Sequence, residues 1–262
     1  MAPNHLKTVI PEATSPEQDQ VRGRSLPWLL LPSRLLLFAA FQAVIALVLW
    51  IATARFDFQA AGLYWPFAAT GANIVTVVVL WLVYKNEGRS FVELYKFTKG
   101  SVGKDILVVV ALFVLAAPLS VFPNTLLGNA LFGNVSAVMP LMFGSLPRLV
   151  AYLALIFPLT IAFAELPLYM GYTLPRISKQ SGSRVLAVLV AGFFLALQHC
   201  TLPLVFDLRF VLWRFGMFLP LALFLAIVLA WRPRLLPYVM IGHALLDLTT
   251  VVMLISASSG SG

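Results

Sequence analysis

Cys200 is the single cysteine among 262 residues, so no internal disulfide can form and no cysteine-based metal cage is available. Charge is scarce too. Asp, Glu, Lys and Arg make up 11% of the chain, against about 25% in a typical soluble domain. With so little polar surface to offer water, a soluble enzyme is excluded. What fills the chain instead is apolar: 61% of residues are hydrophobic and the mean hydropathy is +0.94. The 18 Lys and Arg outnumber the 10 Asp and Glu, giving a net charge of +8. Such a surplus suits nucleic acid or an anionic membrane face equally, and placement decides between them. The basic residues lie in short clusters between long uncharged runs, the pattern of a multi-span membrane protein. The lipid bilayer is therefore the expected partner, and no nucleic acid is.

A helix rises about 1.5 Å per residue across a hydrocarbon core about 30 Å thick, so each crossing needs roughly 20 apolar residues. Seven runs qualify: Leu35–Ala54, Pro66–Tyr84, Ile106–Val121, Arg148–Tyr172, Val185–Leu204, Gly216–Trp231 and Pro237–Ser256. The third and sixth are short and are expected to borrow from Phe122–Leu127 and Phe210–Phe215. Lys and Arg on alternate sides divide 14 to 4. Because basic loops stay in the cytoplasm, the N-terminus is expected inside. The fold expected is an all-α polytopic membrane bundle of about seven transmembrane helices. Residues 1–26 read as a disordered cytoplasmic tail, 27–256 as one transmembrane domain and 257–262 as a flexible Ser/Gly tail. Ser90–Lys99 reads as a short interfacial helix, and Phe122–Pro147 as an outer loop. Trp65, Trp81, Tyr84, Trp213, Trp231 and Tyr238 fall where belt aromatics belong.

Eight of the ten acids map to tails, loops or helix ends, but Glu165 and Asp247 fall inside spans, as do His199 and His243. All four are carboxylates or imidazoles, and no Lys or Arg is expected among them. A carboxylate at membrane depth costs at least about 2.5 to 3.5 kcal/mol, so such groups face a polar interior and mark function. His243 and Asp247, four apart on one helix, share a face. Pro167 and Pro203 lack the N–H that the carbonyls of Phe163 and His199 would otherwise receive, which predicts free acceptors and bound water near each ionisable group. Cys200, about 100° around the helix from His199, reads as packing.

These residues resemble the CAAX-protease and bacteriocin-processing group of intramembrane proteases (CPBP or Abi). The group's first motif is Glu-Glu-x-x-x-Arg-Gly, and Glu165-Leu166-Pro167-Leu168-Tyr169-Met170-Gly171 keeps the first Glu and the Gly. Phe-x-x-x-His is matched by Leu195 to His199 in its His. His-x-x-x-Asn/Asp is matched in full by His243 and Asp247, so the family-like core covers about residues 148–250. Leu166 and Met170 replace the second Glu and the Arg together and so leave no orphan charge. The resemblance implies an endopeptidase of the glutamate type in which Glu165 is general base and His199 and His243, the latter oriented by Asp247, stabilise the oxyanion. It implies a membrane-bound or lipid-modified protein substrate and a bacterial inner-membrane location. No cofactor is expected, although Glu165, His199 and His243 could hold zinc in a metal-dependent variant. Two other classes fit the same residues: a non-catalytic immunity or membrane-partner scaffold, and a proton-coupled transporter.

Overall fold

The computed structural model describes residues 25–259, and every regular element among them is helical. The expected tail up to residue 24, with His5, and residues 260–262 lie outside the described residues. Among the described residues, five helices are long and apolar enough to cross a membrane. They are α1 (Ser33–Thr53), α2 (Trp65–Asn86), α3 (Val102–Phe132), α7 (Leu208–Trp231) and α8 (Leu236–Ser259), the last entered through a 3-10 turn at Pro233–Leu235. Between α3 and α7 lie shorter apolar pieces: α4 (Arg148–Ile161), a π-helical segment (Pro167–Thr173), α5 (Leu174–Ser181) and α6 (Arg184–Leu197).

Proline explains why the fourth run comes in pieces. Pro158, Pro167 and Pro175 punctuate the stretch from Arg148 to Ser181, and each removes a backbone donor. Tight turns therefore close at Ile161 to Ala164, where Ala164 N–H reaches the carbonyl of Ile161 at 3.0 Å, before the chain loosens into the π segment. The 14 residues of α6 rise only about 21 Å. A 3-10 turn (Gln198–Cys200) and an irregular segment continue it towards α7. Irregular backbone at such depth survives only where protein satisfies it. Here Gln42 of α1 does so, accepting from Leu204 N–H at 2.7 Å and donating to the Leu204 carbonyl at 3.0 Å.

The third and sixth runs do borrow from their flanks, and α3 borrows more than expected. It runs on through 122–132 to a C-cap at Gly133, whose φ of 76° suits glycine. The expected outer loop over Phe122–Pro147 is thus half helix, followed by a 3-10 turn at Val135–Leu141. A side-chain contact explains the extension: Trp213 Nε1 donates to Asn124 Oδ1 at 3.0 Å, tying the end of α3 to α7. Helix α8 likewise runs past the expected boundary at 256. Ser258 is buried and its Oγ accepts from Leu146 N–H at 3.1 Å, so 257–259 are not a flexible tail. At the other end, residues 25–30 are helical.

Apart from Trp81 and Trp231, the expected belt aromatics are core. Trp65, Tyr84, Trp213 and Tyr238 are buried, and Trp65 Nε1 donates to the Met142 carbonyl at 3.0 Å. Trp81 and Trp231 do face outward, in company with Leu36, Ile51, Val114, Leu149, Leu159 and Val185. So broad an apolar surface suits lipid, not water.

Between apolar helices in lipid, packing is carried by close van der Waals fit, for which small residues matter. Helix α7 packs most extensively on α6 and α3, α1 on α2, and α8 on α4. At Gly192 of α6, a Cβ would stand 3.1 Å from the Leu223 Cα of α7, so the two backbones touch. Gly192→Val should therefore lower the melting temperature in detergent, at a cost of about 1 to 3 kcal/mol. Gly103→Ala, in open space at the start of α3, should leave it unchanged or slightly raised.

Candidate functional site

Glu165 follows the tight turn and stands two residues before the π segment, where the helical hydrogen-bond ladder changes step. Such segments occur often at functional sites. Its carboxylate is buried, with Oε1 3.2 Å from His243 Nε2. That same nitrogen lies 3.1 Å from Asp247 Oδ2, one turn along α8. A single imidazole nitrogen thus stands between two carboxylates, and its proton cannot align with both.

His199 arrives from the opposite direction, on the 3-10 turn after α6. Its Nδ1 is 2.8 Å from the Leu195 carbonyl. A carbonyl can only accept, so Nδ1 carries the proton and Nε2 presents a lone pair in the neutral ring. The ring stacks on Phe218 of α7 at 3.7 Å between centroids. His199 and Asp247 line one cavity of about 170 Å³, walled further by Trp65, Trp213 and Arg214. The turn carrying His199 is held to α1 by Thr201 Oγ1, which donates to the Leu35 carbonyl at 3.0 Å.

The expectation that no Lys or Arg lies in the interior is corrected by the structure. Arg34, one of the 14 basic residues expected on the cytoplasmic side, is fully buried as the second residue of α1, and Arg214 is buried in α7. Arg34 Nη2 is 3.6 Å from Glu165 Oε2, Nε donates to Gln198 Oε1 at 2.7 Å, and Nη1 to Thr76 Oγ1 at 3.4 Å. Met170 itself is packed in the core. A signal was there: Arg34 follows Pro32 and Ser33, a helix start, and has leucines on both sides.

Both carbonyls freed by proline also find protein donors. Tyr95 of the short 3-10 helix Phe91–Tyr95, where an interfacial helix was expected, donates to the Phe163 carbonyl at 3.2 Å. Burial pushes the Tyr95 phenol above its ordinary value, which keeps its proton in place as a donor. Arg214 Nε donates to the His199 carbonyl at 3.2 Å and Nη2 to Leu202 O at 2.7 Å. The free acceptors expected from sequence are therefore filled by side chains from other elements. Cys200 packs in the interior, as expected, with Sγ 3.6 Å from the Val211 carbonyl.

Among the described residues no set of three or more His, Cys, Asp or Glu side chains is arranged to hold a metal ion. What the side chains of this site can do is accept a proton at Glu165, pass it to His243 across the 3.2 Å contact, and orient a small polar molecule against His199. The chain matches no family model, no curated protein and no solved structure.

Two substitutions probe this arrangement. Arg34→Met strands Glu165 in the interior and should destabilise by about 3 to 5 kcal/mol, whereas Arg34→Met with Glu165→Leu should recover most of that loss, read as melting temperature in detergent. Tyr95→Phe leaves the Phe163 carbonyl without its donor and should cost about 1 kcal/mol by the same measurement.

Proposed function

We propose that this protein is an intramembrane endopeptidase that hydrolyses a peptide bond in a membrane-bound or lipid-modified protein. The observation that carries this reading is the contact chain from Glu165 through His243 to Asp247, at 3.2 and 3.1 Å, beside a cavity that Asp247 shares with His199. About 170 Å³ is room for a few water molecules or a scissile amide. Ionised Glu165 takes a proton from water as the water oxygen bonds to the carbonyl carbon. The carbonyl electron pair moves onto oxygen, where His243, as imidazolium between two carboxylates, stabilises the charge. His199 Nε2 accepts from the water O–H and aims it. As the C–N bond breaks, His243 gives its proton to the leaving nitrogen and regains one from Glu165. The likeness of the three motifs to the CAAX-protease and bacteriocin-processing group supports the same reading, and with it a bacterial inner-membrane location.

Seven crossings with the N-terminus inside belong to this proposal. The broken stretch from Arg148 to Ser181 and the shorter α6 with its following turn serve as the fourth and fifth crossings. Setting aside the buried Arg34 and Arg214, the remaining 16 basic residues divide 13 inside (14 less Arg34) to 3 outside (4 less Arg214).

One feature favours a second reading, a non-catalytic scaffold: Glu165 is only 3% exposed and is engaged from both sides by Arg34 and His243. Comparing the N-terminal peptides of membrane proteins in cells carrying wild type or Glu165→Gln separates the two. A protease loses cleavage by about 100-fold or more at matched abundance, as does His199→Asn. A peptide pattern unchanged in Glu165→Gln would leave the scaffold. Cleavage is expected to survive 1,10-phenanthroline; inhibition reversed by zinc would instead make Glu165, His199 and His243 ligands.

A further inference from the structure

At the end of the bundle where α5 turns into α6 and α7 hands over to α8, a cavity of about 460 Å³ opens, which reaches Met170 and Gly171 of the π segment but has none of Glu165, His199, His243 or Asp247 in its lining. Lys96, Lys179, Arg184 and Arg234 line it, with Glu93 the one acid among them. The four cations come from four separate segments: the residue after the Phe91–Tyr95 turn, α5, the first residue of α6, and the Pro233–Leu235 turn. Arg234 is matched by Asp105 at 3.0 Å. Lys96, Lys179 and Arg184 form no ion pair among the described residues. Like charges gathered around one hollow repel unless an anion lies between them.

The floor of the hollow is apolar, made by Leu174, Leu229 and Leu236 beneath the cations, and the Ser178 side faces it too. Its depth is that of the membrane boundary, since α7 ends beside it at the outward-facing Trp231. A cationic rim over an apolar floor at headgroup level suits a phosphate carried on an acyl chain better than a free anion. We propose that this cavity binds the phosphate headgroup of an anionic phospholipid, independently of any chemistry at Glu165.

The purified full chain in neutral detergent provides the test, by native mass spectrometry and thermal melting with added dioleoyl phosphatidylglycerol, dioleoyl phosphatidylcholine or sodium phosphate. Phosphatidylglycerol should bind and raise the melting temperature, and phosphatidylcholine should not. The triple variant Lys96→Gln, Lys179→Gln, Arg184→Gln should weaken phosphatidylglycerol binding by at least about tenfold, and Lys179→Gln alone by a few-fold. Lys85→Gln, Lys99→Gln, Lys104→Gln removes the same charge elsewhere and should bind as wild type. Equal weakening in that control would reduce the effect to diffuse surface charge and overturn the site, as would unchanged binding in the triple variant. Sodium phosphate that gives the same shift and displaces the lipid would assign the cavity to a free anion and overturn the lipid as its occupant.

Discussion

The guanidinium of Arg34 is the point on which the interior depends. Within hydrogen-bonding or ion-pairing reach of it are Thr76 on α2, Gln198 on the turn after α6, and Glu165 at the head of the π segment, while Phe38 of its own helix lies under it at 4.9 Å. Four parts of the chain are thus oriented by one side chain. A charge this deep is costly to desolvate, and a planar guanidinium with five donors recovers that cost only when several acceptors converge on it. Glu165 is its counter-charge, paired at 3.6 Å through Oε2, and the other oxygen is then left for His243. Remove the arginine and both the acid and the turn that carries His199 lose their reference.

The second constraint is the backbone. Proline breaks the run that carries Glu165, and α6 ends well short of a full membrane thickness, so peptide groups are exposed at a depth where water is scarce. Side chains from distant elements close each gap. Tyr95 serves the Phe163 carbonyl, Gln42 serves both sides of Leu204, and Arg214 serves His199 and Leu202. Tyr84 OH, in the same way, donates to Gly171 O of the π segment at 3.2 Å. Glu165 and His199 are therefore mounted beside or on irregular backbone whose geometry is imposed from outside, whereas His243 and Asp247 stand on the regular helix α8. That is how Glu165, next to the π segment, can meet a nitrogen of α8 that Asp247 approaches from one turn along the same helix.

Around this polar centre the bundle is held by fit. Lipid is as apolar as leucine, so the helices gain little from hiding hydrocarbon and much from touching closely. The Gly192 contact with Leu223 and the alanines 68, 69 and 72 of α2 show the device at work. Many leucines, valines and isoleucines turn outward, while large aromatics such as Trp213, Tyr84 and Phe38 fill the interior.

Composition and run length sufficed to determine an all-helical membrane protein, because the cost of placing backbone and charge in hydrocarbon leaves few alternatives. The i, i+4 pairing of His243 with Asp247 was legible for a similar reason: helix geometry alone puts those side chains on one face. Glu165 was legible as an anomaly, an acid in an apolar run. Tertiary structure alone decided what surrounds it. Arg34 reads in sequence as one more flanking charge, and only the approach of α1 to the π segment makes it a partner. The orphan carbonyls could be foreseen from Pro167 and Pro203, but their donors lie on other elements, and no local pattern reports which element will pass close by. Helix identity is a short-range property of the chain; the pairing of a buried charge is a long-range one, set by packing.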